Sequence, residues 1–223
     1  MSRKRDRERQ EQSRAVRRRT VIVAVASIVG VIGILGLMTV VGSASESSAT
    51  GGGSGGDPTL VAAANLRPCP NSSGSVTAVV NGLPAEALPC LGEGPDFSLA
   101  SLTGKPAIVN VWGSWCPPCR DELPWFAALD RAAAGQLQIV GVDVSDTVDS
   151  ALTTLADIGV QYPSVFDPQG KTRVSLQWAG GTPVTLLVRA DGSIAHRIEG
   201  RVPDEATLRA LVAEHLGVTI GPS

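Results

Sequence analysis

The sequence predicts one α/β domain with a central mixed sheet flanked by helices, carried on an N-terminal extension and preceded by one membrane-spanning helix. Three observations predict it. From Phe97 to Gly217, strand-type apolar runs and amphipathic stretches follow the order β-α-β-α-β-α-β-β-α, about 120 residues and enough for one core. A Cys-x-x-Cys, Cys116-Pro117-Pro118-Cys119, falls where a strand runs into a helix. An uncharged stretch, Val21 to Val41, follows a strongly basic arm.

The arm comes first. The net charge of −2 hides an asymmetry, because residues 1–20 hold nine Lys and Arg against three acids. The rest of the chain then carries 10 basic and 18 acidic residues, a net of −8. A basic arm alone could signal nucleic-acid binding. Here it abuts the 21 apolar residues of 21–41, enough to span a hydrocarbon core of about 30 Å at 1.5 Å per residue. The positive-inside rule places the arm in the cytoplasm and the remainder outside. No nucleic-acid partner is implied. The competing reading is a signal peptide cleaved near Ala44, which would leave a secreted protein; an apolar core of about 7–15 residues is usual there, and this one is longer.

Residues 42–57 are Gly- and Ser-rich and read as a tether without a core. Residues 58–96 form an extension holding Cys69 and Cys90. Outside the cytoplasm a structural disulfide between these two is the natural inference, and it would pin an arm with few apolar residues to the main body. An electron relay to Cys116 and Cys119 is the other reading; cysteines so far apart lack a reactive-dithiol signature.

The domain of residues 97–220 opens with a short strand and turn over Phe97 to Lys105. The runs Ala107 to Trp112 and Leu137 to Val144 read as buried strands, and Arg120 to Ala134 as the helix between them. Val148 to Ile158 has helical spacing and stops at Gly159; Tyr162 to Phe166 is extended, and Gly170 to Trp178 is expected to be helical. Pro183 to Arg189 and Ser193 to Ile198 form a hairpin about Asp191-Gly192, and Pro203-Asp204-Glu205 starts a last helix through Leu216.

Cys116 falls at or beside the N-cap of the Arg120 helix, where free N–H groups and the positive dipole end favour an anion. A thiol of ordinary pKa near 8.5 can be lowered there to roughly 3.5–7.5, which supplies thiolate at neutral pH. Cys119, one turn on, is placed to attack a mixed disulfide on Cys116. Pro117 and Pro118 suit the first helical turn, where a missing N–H costs little. A zinc knuckle would need four ligands, and no second Cys-x-x-Cys or His-x₃-His exists, so no metal site is read here. The dithiol chemistry needs no cofactor.

With these residues in view, the chain resembles the thioredoxin superfamily, and within it the membrane-tethered TlpA/ResA-like thiol-disulfide oxidoreductases of bacterial envelopes. The likeness covers about Phe97 to Leu216. It is strongest over Val109 to Arg120 and over Gly181-Thr182-Pro183-Val184, which resembles the segment carrying the family's cis-proline. Residues from about Ser145 to Pro168 look like the helix–strand insertion of this branch. The resemblance implies a thioredoxin-like fold with Cys116 as exposed nucleophile and Cys119 as resolving thiol. It implies a cis Pro183, with the Thr182 backbone facing the Cys116 sulfur and pairing with an incoming peptide. Trp115 would flank the site as a binding surface. Where cytoplasmic thioredoxins carry a buried Asp this chain has Asn110, which cannot titrate, and the resemblance offers Glu122 as general acid/base for Cys119. The other reading of Glu122 is a solvated first-turn residue near Arg120. His196 and His215 look isolated, one on a strand and one on a helix.

The function so implied is dithiol–disulfide exchange on proteins at the outer face of a bacterial cytoplasmic membrane. A reductant is favoured, for apocytochrome c haem-site cysteines or copper-site assembly, and it would need a membrane redox partner. The rivals are an oxidative-folding disulfide donor and, with no suitable His, a Cu(I) metallochaperone.

Overall fold

The computed structural model describes residues 55–71 and 81–221. The basic arm, the expected span 21–41 and most of the Gly/Ser-rich stretch lie outside the described residues. Among the described residues no helix is long and apolar enough to cross a membrane.

The sheet is organised on β3, Ala107–Trp112, all six of whose residues are buried. Its other strands are β4 (Gln138–Val144), β5 (Ser164–Asp167), β6 (Val184–Val188) and β7 (Ile194–Glu199). Their order is β5-β4-β3-β6-β7. β4 pairs parallel with β3 and with β5, whereas β6 runs antiparallel to both β3 and β7. The sheet is therefore mixed, as the element order predicts. A strand covered on both faces reads as a continuous apolar run, which explains Ala-Ile-Val-Asn-Val-Trp.

Side-chain alternation splits the core in two. Ile108 and Trp112 of β3 and Ile139 of β4 pack under the helices, with Leu123, Phe126 and Leu129 of α2 (Pro117–Ala133), Leu152 and Leu155 of α3 (Val148–Ile158), and Leu208 and Val212 of α5 (Glu205–Leu216). Val109, Val111, Val140, Val142, Val165, Val184 and Leu186 point to the opposite face, covered by Leu83, Phe97, Leu99, Leu176 and Trp178.

The helix expected over Gly170 to Trp178 is shorter: α4 is Lys171–Ser175. Gln177 has φ +54, and the turn there lets both Leu176 and Trp178 enter the second core. A continued helix would separate them by about 200° and bury only one.

The extension is part of the fold. Helix α1, Pro58–Ala64, is capped by Asp57, whose carboxylate accepts the Thr59 N–H at 2.8 Å. Gly56, expected to end the tether, lies against α3 so closely that a Cβ there would stand 2.6 Å from Val148 Cγ1. The tether therefore gives way to packed chain by Gly56, because only glycine leaves room for that contact. Further on, Leu91 N donates to Ser164 O at 2.8 Å and Phe166 N to Pro89 O at 2.9 Å. The extension thus covers the open edge of β5. The Cys69–Cys90 disulfide, Cα to Cα 6.0 Å, sits in the second core beside that edge. It is the pairing read from the sequence. Strands β1 (Ala87–Leu88) and β2 (Phe97–Ser98) form a small antiparallel pair next to it.

Candidate active site

β3 ends at Trp112, and the chain turns through Gly113, Ser114 and Trp115 before α2 begins at Pro117. Cys116 is the N-cap of α2, with Pro117 opening the helix and the Cys119 N–H directed at the Cys116 sulfur across 3.3 Å. The two cysteines are joined as a disulfide, Cα to Cα 5.3 Å. In the reduced form the same N–H groups face a Cys116 thiolate, which they and the helix dipole stabilise.

Across the site the Thr182–Pro183 peptide bond is cis, and Thr182 O lies 3.7 Å from Cys116 Sγ. This covered position corrects one expectation. Cys116 is not an exposed nucleophile in the oxidised form: the residue is 2% exposed and Cys119 fully buried.

The turn of residues 113–115 is held from the end of β4 and the loop after it. Ser114 N donates to Asp146 Oδ2 at 2.6 Å, and Trp115 Nε1 donates to Val144 O at 3.2 Å. The indole folds back over Gly113, where a Cβ would stand 2.6 Å from Trp115 Nε1. Trp115 is nonetheless 55% exposed.

Glu122 is neither solvated nor in the first turn. It is the sixth residue of α2, on the buried face with Cys119, Leu123 and Phe126, and is fully buried. Asn110 Nδ2 donates to its Oε1 at 3.3 Å and Val202 N to its Oε2 at 3.1 Å. Burial pushes its carboxyl up to about 7; the two hydrogen bonds and the nearby Arg201 charge pull the other way. The site thus contains a carboxyl that changes charge near neutral pH, one helical turn from Cys119. Tyr162, also fully buried, has its hydroxyl pushed well above the ordinary tyrosine range, first by burial and then by Glu122 and Asp130.

Two groups escaped the sequence reading. Asp143 is a buried carboxyl on β4, and Asp146 is the acceptor that holds Ser114. The signal was an acid at an inward position of the apolar run Leu137 to Val144. The histidines are also not isolated: His196 of β7 and His215 of α5 stack in parallel, ring centroids 4.1 Å apart. Among the described residues no cluster of three or more His, Cys, Asp or Glu could hold a metal ion.

With this geometry in view, the sequence profile of the AhpC/TSA family matches residues 81–197, more than half of the chain. The chain belongs to the AhpC/TSA family. Over 108 residues it is 40% identical to the thiol:disulfide interchange protein CycY of Rhizobium leguminosarum bv. viciae, covering 48% of this chain and 56% of that one. Over 131 residues it is 36% identical to the thiol:disulfide interchange protein HelX of Rhodobacter capsulatus, covering 57% of this chain and 72% of that one. Among solved structures, a thiol:disulfide interchange protein of the thioredoxin family from Chlorobium tepidum TLS superposes with a TM-score of 0.54 at 26% identity, covering 63% of this chain and 99% of that one. The fold is thioredoxin-like, and its match spans just over half the length of CycY. Within this family member the Cys116–Cys119 pair occupies the strand–helix junction, and the residues just described surround it.

Proposed function

We propose that this protein is a thiol-disulfide oxidoreductase of the bacterial cell envelope, acting as a reductant of protein disulfides. One observation carries the proposal: the Cys116–Cys119 disulfide lies at the N-terminus of α2 and against the Thr182 carbonyl that precedes cis-Pro183. The thiol:disulfide interchange relatives support it.

In the reduced protein the Cys116 thiolate attacks one sulfur of a substrate disulfide. A mixed disulfide forms, and the other substrate sulfur leaves as a thiolate and takes a proton. Cys119, deprotonated, then attacks Cys116 Sγ and expels the second substrate thiolate. The substrate gains two electrons and two protons, and the Cys116–Cys119 disulfide is left. Glu122 takes the Cys119 proton, a role supported by its burial and its carboxyl near 7. Thr182 and Pro183 align the incoming peptide and Trp115 contacts it. Residues 21–41 anchor the domain on the extracytoplasmic side, with the α3–β5 insertion and the disulfide-stapled extension completing it. A membrane redox partner re-reduces the dithiol, and the substrate cysteines are those of apocytochrome c haem sites or a similar assembly pathway.

The test is a redox titration with an insulin-reduction assay. A reductant has a potential nearer the thioredoxin value of about −270 mV than the oxidant value of about −120 mV, and reduces insulin with dithiothreitol as electron source. A potential near the oxidant end, with disulfide transfer into reduced substrates, would move the assignment to an oxidative-folding donor.

A further inference from the structure

Two backbone N–H groups on one short segment, residues 200–202 between β7 and α5, reach both halves of the site. Gly200 N donates to the carbonyl of cis-Pro183 at 2.9 Å. Val202 N donates to Glu122 Oε2 at 3.1 Å, and the Val202 side chain is fully buried in the core under the helices. Gly200 has φ +94, a conformation that glycine adopts without strain. The peptide-aligning proline and the buried acid are thus held from a single stretch of three residues.

Arg201 lies between those two donors, and its side chain rests on α2. The guanidinium carbon stands 5.3 Å from the centroid of the Trp125 ring, and Nη1 lies 3.9 Å from Asp121 Oδ2. Asp121 and Trp125 are one helical turn apart, so they form a strip on α2 next to Glu122. The ion pair is long and exposed and contributes little by itself. The cation over the indole face is the stronger contact. Trp125 is packed against the same core that holds Val202, so the surface under the guanidinium is fixed. The exchange steps themselves make no use of these contacts.

We propose that Arg201 is a positioning residue that locks residues 200–202 onto α2, keeping the Val202 N–H on Glu122 and the Gly200 N–H on Pro183. This role presupposes the proton-transfer role proposed for Glu122. Burial favours a neutral carboxyl, which cannot take a proton from Cys119, whereas the Val202 N–H and the Arg201 charge favour the carboxylate. Without Arg201 the cation and the aim of the N–H are both lost, while the buried Val202 side chain still keeps water away. Glu122 then titrates above its value of about 7. Of the other groups around it, Asn110 of β3 carries no charge, and Tyr162, from the segment before β5, stays neutral through this range. In the oxidised protein neither sulfur of α2 titrates.

The test follows the carboxyl-carbon NMR shift of Glu122 against pH in the oxidised full chain, together with the Val202 amide proton, in wild type and Arg201→Gln. It needs no turnover, so its failure is distinguishable from failure of the insulin assay. Expected is a midpoint near 7 in wild type and one about half a pH unit higher in the variant, with the Val202 amide proton moved upfield as its hydrogen bond weakens. A midpoint that is unchanged or lower, or a Val202 amide left at its wild-type position, overturns the proposal. Exchange assays then test Glu122 itself. Their pH profile should move with the carboxyl midpoint in Arg201→Gln, and Arg201→Gln should add no shift to Glu122→Gln. A moved carboxyl midpoint with an unmoved exchange profile would remove the proton-transfer role of Glu122 and still support the positioning role of Arg201.

Discussion

Asn110 Nδ2 donates to Glu122 Oε1 across 3.3 Å, joining the centre of β3 to the helix that Cys116 caps. The second oxygen of Glu122 receives Val202 N from the loop before α5, 80 positions away. One buried carboxyl therefore ties together the strand that leads into the site, the helix that bears the thiols and the segment that closes the domain.

The first prediction concerns the charge on Glu122. Its carboxyl titrates near 4.5 unfolded and near 7 folded. Between those values the folded state binds more protons, so stability is full below about 4.5 and falls as pH rises to 7, by up to roughly 3 kcal/mol. Glu122→Gln removes that slope. Urea denaturation of oxidised wild type and variant at pH 5 and pH 7 should show a difference in pH dependence of about 2 kcal/mol and of that sign, since part of the loss already falls below pH 5. In thiol-exchange assays the variant's pH profile should shift; an unchanged profile would strip Glu122 of its proposed proton-transfer role.

Much of this arrangement was legible in the chain. Strand β3, the N-cap position of Cys116, the Cys69–Cys90 pairing and the cis bond at Pro183 follow from local composition or from the family's motifs. Contacts between distant segments were not. Composition alone lets Glu122 pass for a solvated helix residue, the family resemblance offers it as an acid/base, and neither reveals its partner Val202, far along the chain. Asp143 passes for a strand residue because sequence does not show that its carboxyl is buried without a donor. His196 and His215 meet only because β7 and α5 are adjacent. The boundary at Gly56 was obscured by composition, since a glycine chosen for close packing looks the same as one in a tether.

A second prediction addresses the staple. In the chain-entropy picture the Cys69–Cys90 loop, with a separation of 21, is worth about 3 kcal/mol. The Cys69→Ala/Cys90→Ala double variant should lose stability of that order in urea. It should still form the Cys116–Cys119 disulfide and exchange it, because both removed sulfurs are buried in the second core. Loss of exchange in a variant that remains folded would revive a relay role for this pair.

A third prediction separates binding from folding at Trp115. The indole is more than half exposed and makes one hydrogen bond, to Val144 O. Trp115→Ala should therefore cost only about 0.5–1.5 kcal/mol of stability. Exchange with a protein disulfide should slow several-fold, while exchange with a small dithiol stays near wild type. Equal slowing for both would make Trp115 a packing residue.

The fourth prediction tests where the tether ends. A Cβ at Gly56 would stand 2.6 Å from Val148 Cγ1 and 2.9 Å from Leu152 Cδ1, so Gly56→Ala forces these side chains or the chain at Gly56 to shift. An overpacking cost of about 1–3 kcal/mol is expected in denaturant unfolding. The same change within the tether proper should have no effect on domain stability.

The most direct measurement is a mixed-disulfide trap. Reduced Cys119→Ser protein is mixed with a disulfide-bonded protein substrate, and the covalent adduct is mapped by mass spectrometry. The predicted result is an adduct on Cys116 that dithiothreitol releases, with no comparable adduct in Cys116→Ser. No adduct on Cys116, or capture by Cys119 in the Cys116→Ser protein at a similar rate, would contradict the assignment of Cys116 as the attacking thiol.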